Sequence, residues 1–230
     1  MIARSPDGFW RSSLLAGQDW LDHQFGTAAA APEGGFLTLN QIHSCRVVDA
    51  LRGADGQEGD ALVACEPGVR IAVKTADCVP ILLADPVVRL VAAVHAGWRG
   101  TLKDVAGQTV RHLSSRYGSD PANLLAALGP SIGPCCYEVG PDVALLFQDL
   151  SPARKDRQGR AYVDLREANA ALLRRAGVPA AHIDAAGAPC TFCGGPEFHS
   201  WRRARVAGVR MFSVIAARKA FSDSKGAGLN

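Results

Sequence analysis

Residues 74–101 read KTADCVPILLADPVVRLVAAVHAGWRGT, and the fold turns on how this stretch is paired. Two apolar runs, 79–84 and 90–94, flank the turn dipeptide Asp85-Pro86, the pattern of a β-hairpin. Centring the turn between Pro86 and Val87 sets Cys78 opposite His95, on one face at the open end of the hairpin. Opposed residues of an antiparallel pair have Cβ atoms roughly 4.5–5.5 Å apart. A thiol and an imidazole in that relation suit a shared metal ion or a Cys–His pair. A wider loop or a bulge would change the register. Pro80, which lacks a ladder donor, assigns its strand to an edge or a bulge.

The 230-residue chain is 48% hydrophobic and 20% charged, enough for one α/β domain with a substantial core. We expect a single domain over 1–230, with a short variable segment at 1–35 and a frayed tail at 222–230. A net charge of +3, spread along the chain, gives no nucleic-acid footprint. The one basic cluster, Arg202, Arg203 and Arg205 with Arg210 nearby, fits phosphate or another small anion. No apolar run of about 18 residues and no leader pattern is present, so no membrane partner is expected. Seven cysteines cannot pair completely, which points to free thiols and a cytoplasmic setting.

Outward from the hairpin, residues 60–64, 69–73, 124–128, 182–185 and 211–217 read as strands. Residues 36–42 read as a strand or strand edge ending at His43, which is either a hydrogen-bonded core histidine or a third metal donor beside Cys78 and His95. His23 is expected to be a cap or surface residue. Thr101 reads as the N-cap of a helix to Tyr117, so that the turn 97–100, with Trp98 and Arg99, lies just before a helix N-terminus and attracts an anion. Its alternative is a tight turn with Trp98 in the core. The Gly/Pro-rich loop 129–140 carries Tyr137 and Glu138 as pocket candidates, Pro141 opens a helix to about 150, residues 151–160 read as a linker or loop, and Asp164 caps a helix over 165–176. Adjacent Cys135 and Cys136 are expected to point apart, which weighs against a four-cysteine zinc site with the pair Cys190 and Cys193.

His43, Cys78 and His95 together form a two-nitrogen, one-sulfur set, and three protein ligands with an open position are the arrangement of a catalytic zinc; copper would also be accepted. The same residues without metal would make a Cys–His hydrolase in which Asp77 orients a histidine.

TADCVP at 75–80, HAGWRGT at 95–101, GPSIGPCCYEVG at 129–140 and CTFC followed by FHSWRR at 190–203 resemble the YfiH/LACC1 family, once named polyphenol oxidases or multicopper laccases. The resemblance implies a four-layer α-β-β-α sandwich of mixed sheets, with His43, Cys78 and His95 as ligands of Zn2+, or of Cu2+. It implies phosphorolysis of purine nucleosides (adenosine, inosine, guanosine, methylthioadenosine) to base and ribose 1-phosphate, with adenosine deamination as a side activity. The alternatives it carries are a Cys–His amidase acting on peptidoglycan precursors and a copper-dependent polyphenol oxidase; six histidines are few for several copper sites. Under this resemblance Cys78, His95, His43 and Asp77 take part in the chemistry, and Arg99, Trp98, Glu138 and Arg202 contact substrate. Asp60, Asp77 and Glu138 are the candidate proton-shuttling acids. The expected partners are a nucleoside and phosphate, on a monomer. Three departures from the family pattern affect substrate contacts: a short segment before Gln41, His199 and Trp201 in place of the usual aromatic residues, and Val209 beside Arg210.

Overall fold

The computed structural model describes residues 1–51, 53–152, 154, 155 and 158–219; the expected tail at 222–230 lies outside them. The first half of the chain holds strands β1 (Ile2–Arg4), β2 (Trp10–Ser12), β3 (Leu21–Phe25), β4 (Val47–Asp49), β5 (Ala61–Ala64), β6 (Ile71–Thr75), β7 (Val79–Asp85) and β8 (Leu90–Ala96). The second half adds β9 (Leu125–Leu128), β10 (Glu138–Val139), β11 (Arg154–Lys155), β12 (Ala161–Tyr162), β13 (Ile183–Asp184) and β14 (Met211–Ala217). The helices are α1 (Ser13–Ala16), α2 (Trp98–Leu102), α3 (Val105–Tyr117), α4 (Pro141–Leu146), α5 (Leu165–Arg175) and α6 (Trp201–Ala204).

A mixed six-stranded sheet, ordered β13-β9-β7-β8-β5-β4, packs against an antiparallel five-stranded sheet, ordered β1-β2-β3-β14-β6. The two central strands of the larger sheet are buried at every residue, as strands covered on both faces must be. Alternate residues divide between two cores. Ile81, Leu83, Ala92 and Val94 meet Val110 and Leu113 of α3 and Leu173 of α5. Leu82, Ala84, Val91 and Ala93 meet Phe25, Val73 and Ile215 of the smaller sheet. Burying one such Leu or Val side chain contributes about 1.5–3 kcal/mol. The α/β architecture of mixed sheets implied by the resemblance is therefore the one observed.

The hairpin forms, but its register is corrected. Pro80 pairs with His95 and Asp85 with Leu90, so the loop is four residues wide, 86–89, and Cys78 falls opposite Gly97. Asp85 explains the wider loop. Its Oδ1 accepts from the amides of Val87 (2.8 Å) and Val88 (3.0 Å). Its carbonyl accepts from Arg89, which takes a left-handed φ of 59°. A two-residue shift in pairing keeps side-chain parity, so Cys78 and His95 still share a face, now as diagonal neighbours.

Pro80 does not put β7 at an edge. The strand sits between β9 and β8, and the carbonyl of Pro80 accepts from the amide of Gly129 at 2.9 Å. The missing N–H falls on the last rung of the β7–β9 ladder, where one lost bond is tolerated. Residues 36–42 make only isolated bridges. Within 151–160, β11 pairs with β12 in a small sheet with β10. The helix expected from Thr101 is split. α2 begins at Trp98 with Gly97 as its N-cap, and α3 has Asp104 as its N-cap, with Oδ1 accepting from Gly107 N at 3.1 Å. Thr101 is buried, donating to the Gly97 carbonyl at 3.0 Å.

Gly129 follows β9 where the two sheets approach, and a Cβ there would lie 2.2 Å from the ring of Phe25. Gly129→Ala should lower unfolding stability by about 1–3 kcal/mol, the usual cost of overpacking, as measured by urea titration; an unchanged midpoint would show that the sheets are not in this contact.

Candidate metal centre

Asp60 precedes β5 and faces His95 across the β5–β8 ladder, its carbonyl accepting from the His95 amide at 2.7 Å. Its fully buried carboxylate meets Nδ1 of His95 at 2.8 Å. A ring nitrogen facing an ionised carboxylate carries the proton, so Nε2 of His95 is left for the site. The same carboxylate accepts from the amides of His43 (3.0 Å) and Ser44 (2.6 Å) and from the Ser44 hydroxyl (2.6 Å). These bonds hold His43 at a φ of 57°, a backbone state that costs a non-glycine residue about 1–3 kcal/mol. Gln41 anchors the same loop, its amide exchanging two 2.7 Å bonds with the backbone of Lys74. The carboxylate expected to orient an imidazole was Asp77; the structure gives that position to Asp60.

The ligand atoms of His43, Cys78 and His95 all lie within 4.8 Å of one another. The two imidazoles meet edge to face, with centroids 4.9 Å apart. Gly97 makes room for them: a Cβ there would lie 2.8 Å from Cys78 Sγ and 3.0 Å from His43 Cδ2. Burial raises the Cys78 thiol, but the imidazoles of His95 and His43 outweigh it and bring the pKa down to about 6. Burial lowers His95, but Cys78 and Asp60 outweigh it and lift the pKa to about 9. Asp60 itself is raised by burial and lowered further by His95 and Ser44, to about 2. One thiolate and two imidazoles, with the outer nitrogen of one imidazole held by a carboxylate, fit a zinc ion with a free coordination position.

Cys78 and His43 stand where two hollows meet. One, of about 370 Å³, is lined by Asp77, Trp98, Arg99, Tyr137, Arg202 and Arg205. The other, of about 580 Å³, is lined by Asn40, Lys74, His95, Gly208 and Arg210, and both share Trp201. A larger hollow of about 860 Å³, beside Asp22 and Arg218, lies away from these donors. Trp98, Arg99 and Arg202 line the smaller hollow, with Arg99 stacked 4.3 Å over Trp98. Glu138 does not line either site hollow. Its side chain faces a neighbouring one of about 830 Å³, where Tyr162 and Arg160 approach its Oε2. Asp77 accepts from Thr191 Oγ1 at 2.7 Å and from the Arg202 amide at 2.6 Å, so it ties the 190–203 segment to the hairpin. His23 is buried and accepts from the Ser12 amide at 2.9 Å, a structural place rather than the cap or surface one expected. Arg205 was legible only as part of a basic cluster, because its φ of 55° turns it into the hollow in a way no spacing indicates.

The sequence pattern of the multi-copper polyphenol oxidoreductase laccase family matches residues 22–218. The chain belongs to this family. A purine nucleoside phosphorylase from Deinococcus radiodurans is 42% identical over 78% of this chain and 69% of its own length. Adenosine deaminase RL5, from an unknown prokaryotic organism, is 40% identical over 76% of this chain and 72% of its own. The crystal structure of YlmD from Geobacillus stearothermophilus superposes with a TM-score of 0.83 at 28% identity, covering 95% of this chain and 99% of that one. No helix among the described residues is long and apolar enough to cross a membrane.

In this family member, with metal removed by a chelator, a thiol pKa of about 6 means that Cys78 is a thiolate above that pH. Its alkylation by iodoacetamide, followed by peptide mass spectrometry, should rise through about pH 6, and His95→Gln should move the midpoint up; a native midpoint near the ordinary 8.5 would contradict the pairing. Gly97→Ala should reduce zinc affinity at least tenfold at nearly unchanged thermal stability, measured by competition with a chromogenic chelator; unchanged affinity would mean that the crowded Cβ position is not at the site.

Proposed function

We propose that this chain is a zinc-dependent purine nucleoside phosphorylase with an adenosine deaminase side activity. The observation that carries it is the junction of a three-donor cluster with an arginine-lined hollow, and the names of its relatives support the same chemistry. Zinc held by His43, Cys78 and His95 would supply Lewis-acid polarisation at its open position.

The protein groups divide the remaining work. Arg99, Arg202 and Arg205 surround the smaller hollow, where guanidinium forks suit a phosphate dianion. Trp201 borders both hollows and offers a face for the purine. The nucleoside occupies the hollow of about 580 Å³ and phosphate the one of about 370 Å³, so that C1′ lies between them beside Cys78. Phosphate oxygen bonds to C1′ as the C1′–N bond breaks, passing through an oxocarbenium-like state; the purine nitrogen takes the electron pair and gains a proton, balanced by the one that hydrogen phosphate loses. Deamination is a different step, in which water adds to C6 of the base and ammonia leaves, so the nucleoside would have to present C6 rather than C1′ beside Cys78. Asp60 fixes the tautomer of His95 in both reactions.

A Cys–His amidase is the second possibility, favoured by the alignment of Cys78, His95 and Asp60, which in the metal-free protein resembles a nucleophile, base and orienting acid. A multicopper oxidase is disfavoured by the donors. Among the described residues His43 and His95 are the two histidines that share a potential metal group.

Inosine incubated with the chain should release hypoxanthine and ribose 1-phosphate only when phosphate is present; base release independent of phosphate would overturn the phosphorylase assignment. Arg205→Gln should raise the KM for phosphate by about 10-fold or more with a smaller change in kcat, as expected for loss of one charge-assisted contact. An unchanged KM would remove Arg205 from the anion site.

A further inference from the structure

Cys135, Cys136, Cys190 and Cys193 form a second group whose four sulfurs all lie within 4.8 Å of one another. Adjacent Cys135 and Cys136 do not diverge as expected. The turn 133–137 winds tightly, with the amides of Cys136 and Tyr137 both donating to the Gly133 carbonyl at 3.0 and 2.9 Å. The turn 190–194 is closed in the same way by Gly194 N on Cys190 O at 2.8 Å. Two facing helical turns tip all four thiols into one gap. We infer that this gap is a structural zinc site of four thiolates, separate from the His43, Cys78 and His95 cluster.

The distances fit one ion. Tetrahedral zinc with Zn–S bonds of about 2.3 Å separates its sulfurs by about 3.8 Å, and Cys135 and Cys193 are 3.6 Å apart. An iron–sulfur cluster of several irons would hold the sulfurs farther apart, whereas sulfur-only tetrahedral ligation of a single ion suits zinc. All four cysteines are free thiols here. Four protein ligands leave no open position, which marks a structural rather than a catalytic ion.

The surroundings suit the negative charge of such a site. The Gly133 amide donates to Cys190 Sγ at 3.2 Å. The Arg203 guanidinium donates to the carbonyls of Thr191 (2.9 Å) and Phe192 (2.6 Å) inside the second turn. Arg166 lies against Gly133, its Nη2 3.2 Å from where a Cβ would stand, and Cys135 Sγ and Cys190 Cβ are each 3.3 Å from the same point. Gly133 therefore leaves the space that lets the two turns close.

The segments adjoining the two turns line the smaller hollow: Ile132 and Tyr137 on one side, Trp201, Arg202 and Arg205 on the other. The zinc would staple them together, with the Ser131–Cys190 bridge as the backbone part of the same joint. Binding free energy at a structural site of this kind is folding free energy for the segments that it joins.

The test uses the 230-residue chain purified under reducing conditions and measures zinc by mass spectrometry of the metal. In Cys78→Ser, which breaks the three-donor site, about one zinc per chain should remain, and adding Cys193→Ser should remove it. Cobalt loaded into Cys78→Ser should show the intense visible absorption of a tetrahedral thiolate site. In the unsubstituted chain, Cys135, Cys136, Cys190 and Cys193 should resist iodoacetamide until a chelator is added, a readout independent of whether any variant folds. Zinc retained by the double variant, iron in place of zinc, free alkylation before chelation, or disulfides among the four in the reduced preparation would each overturn the site. Because the zinc count is taken with Cys78 already replaced, its failure is distinct from failure of the phosphorylase assignment.

Discussion

The bond of 2.8 Å between the Asp60 carboxylate and Nδ1 of His95 is the contact on which the site depends. It is a cross-strand pair, set by the β5–β8 register and buried on the face that the two sheets share. A carboxylate so deeply buried is tolerated only if its oxygens are fully engaged. Here one imidazole, three loop amides and a hydroxyl engage them. The amides belong to the loop that carries His43, so one carboxylate orients one imidazole and delivers the other. Removing it would leave His43 free to relax from its left-handed backbone state.

A second buried carboxylate does the corresponding work on the other side. Asp77, itself at a φ of 85°, bonds Thr191 and the Arg202 amide and so draws the 190–203 segment against the hairpin. Two strained residues therefore flank Cys78 in the fold, each held by hydrogen bonds rather than by sequence preference. The arginine-lined hollow exists because of this second joint, and the proposed four-thiolate site reinforces it a few residues away.

Much of the donor set was legible in the primary structure because β-pairing has a period of two. Counting from Asp85-Pro86 put Cys78 and His95 on one face, and that survived a register correction because the shift was even. The wider loop was not legible: it follows from the Asp85 side chain capping two amides and from Arg89 taking a left-handed φ. The edge placement of Pro80 failed because its missing donor falls at the end of a ladder. Asp60 was legible only as one of three candidate acids, since its value comes from a partner 35 positions away. The convergence of Cys135 and Cys136 with Cys190 and Cys193 depends on two tight turns meeting, which the spacing of adjacent cysteines argued against. Motif resemblance supplied the role of His43, which periodicity alone left open.

Anomalous diffraction at the zinc edge, from crystals of the chain purified without chelator, tests the central claim most directly. The account predicts a peak bounded by Cys78 Sγ and one nitrogen each of His43 and His95, with Nδ1 of His95 turned to Asp60. Crystals of active protein with no peak at that point, or with His95 flipped away from Asp60, would contradict it.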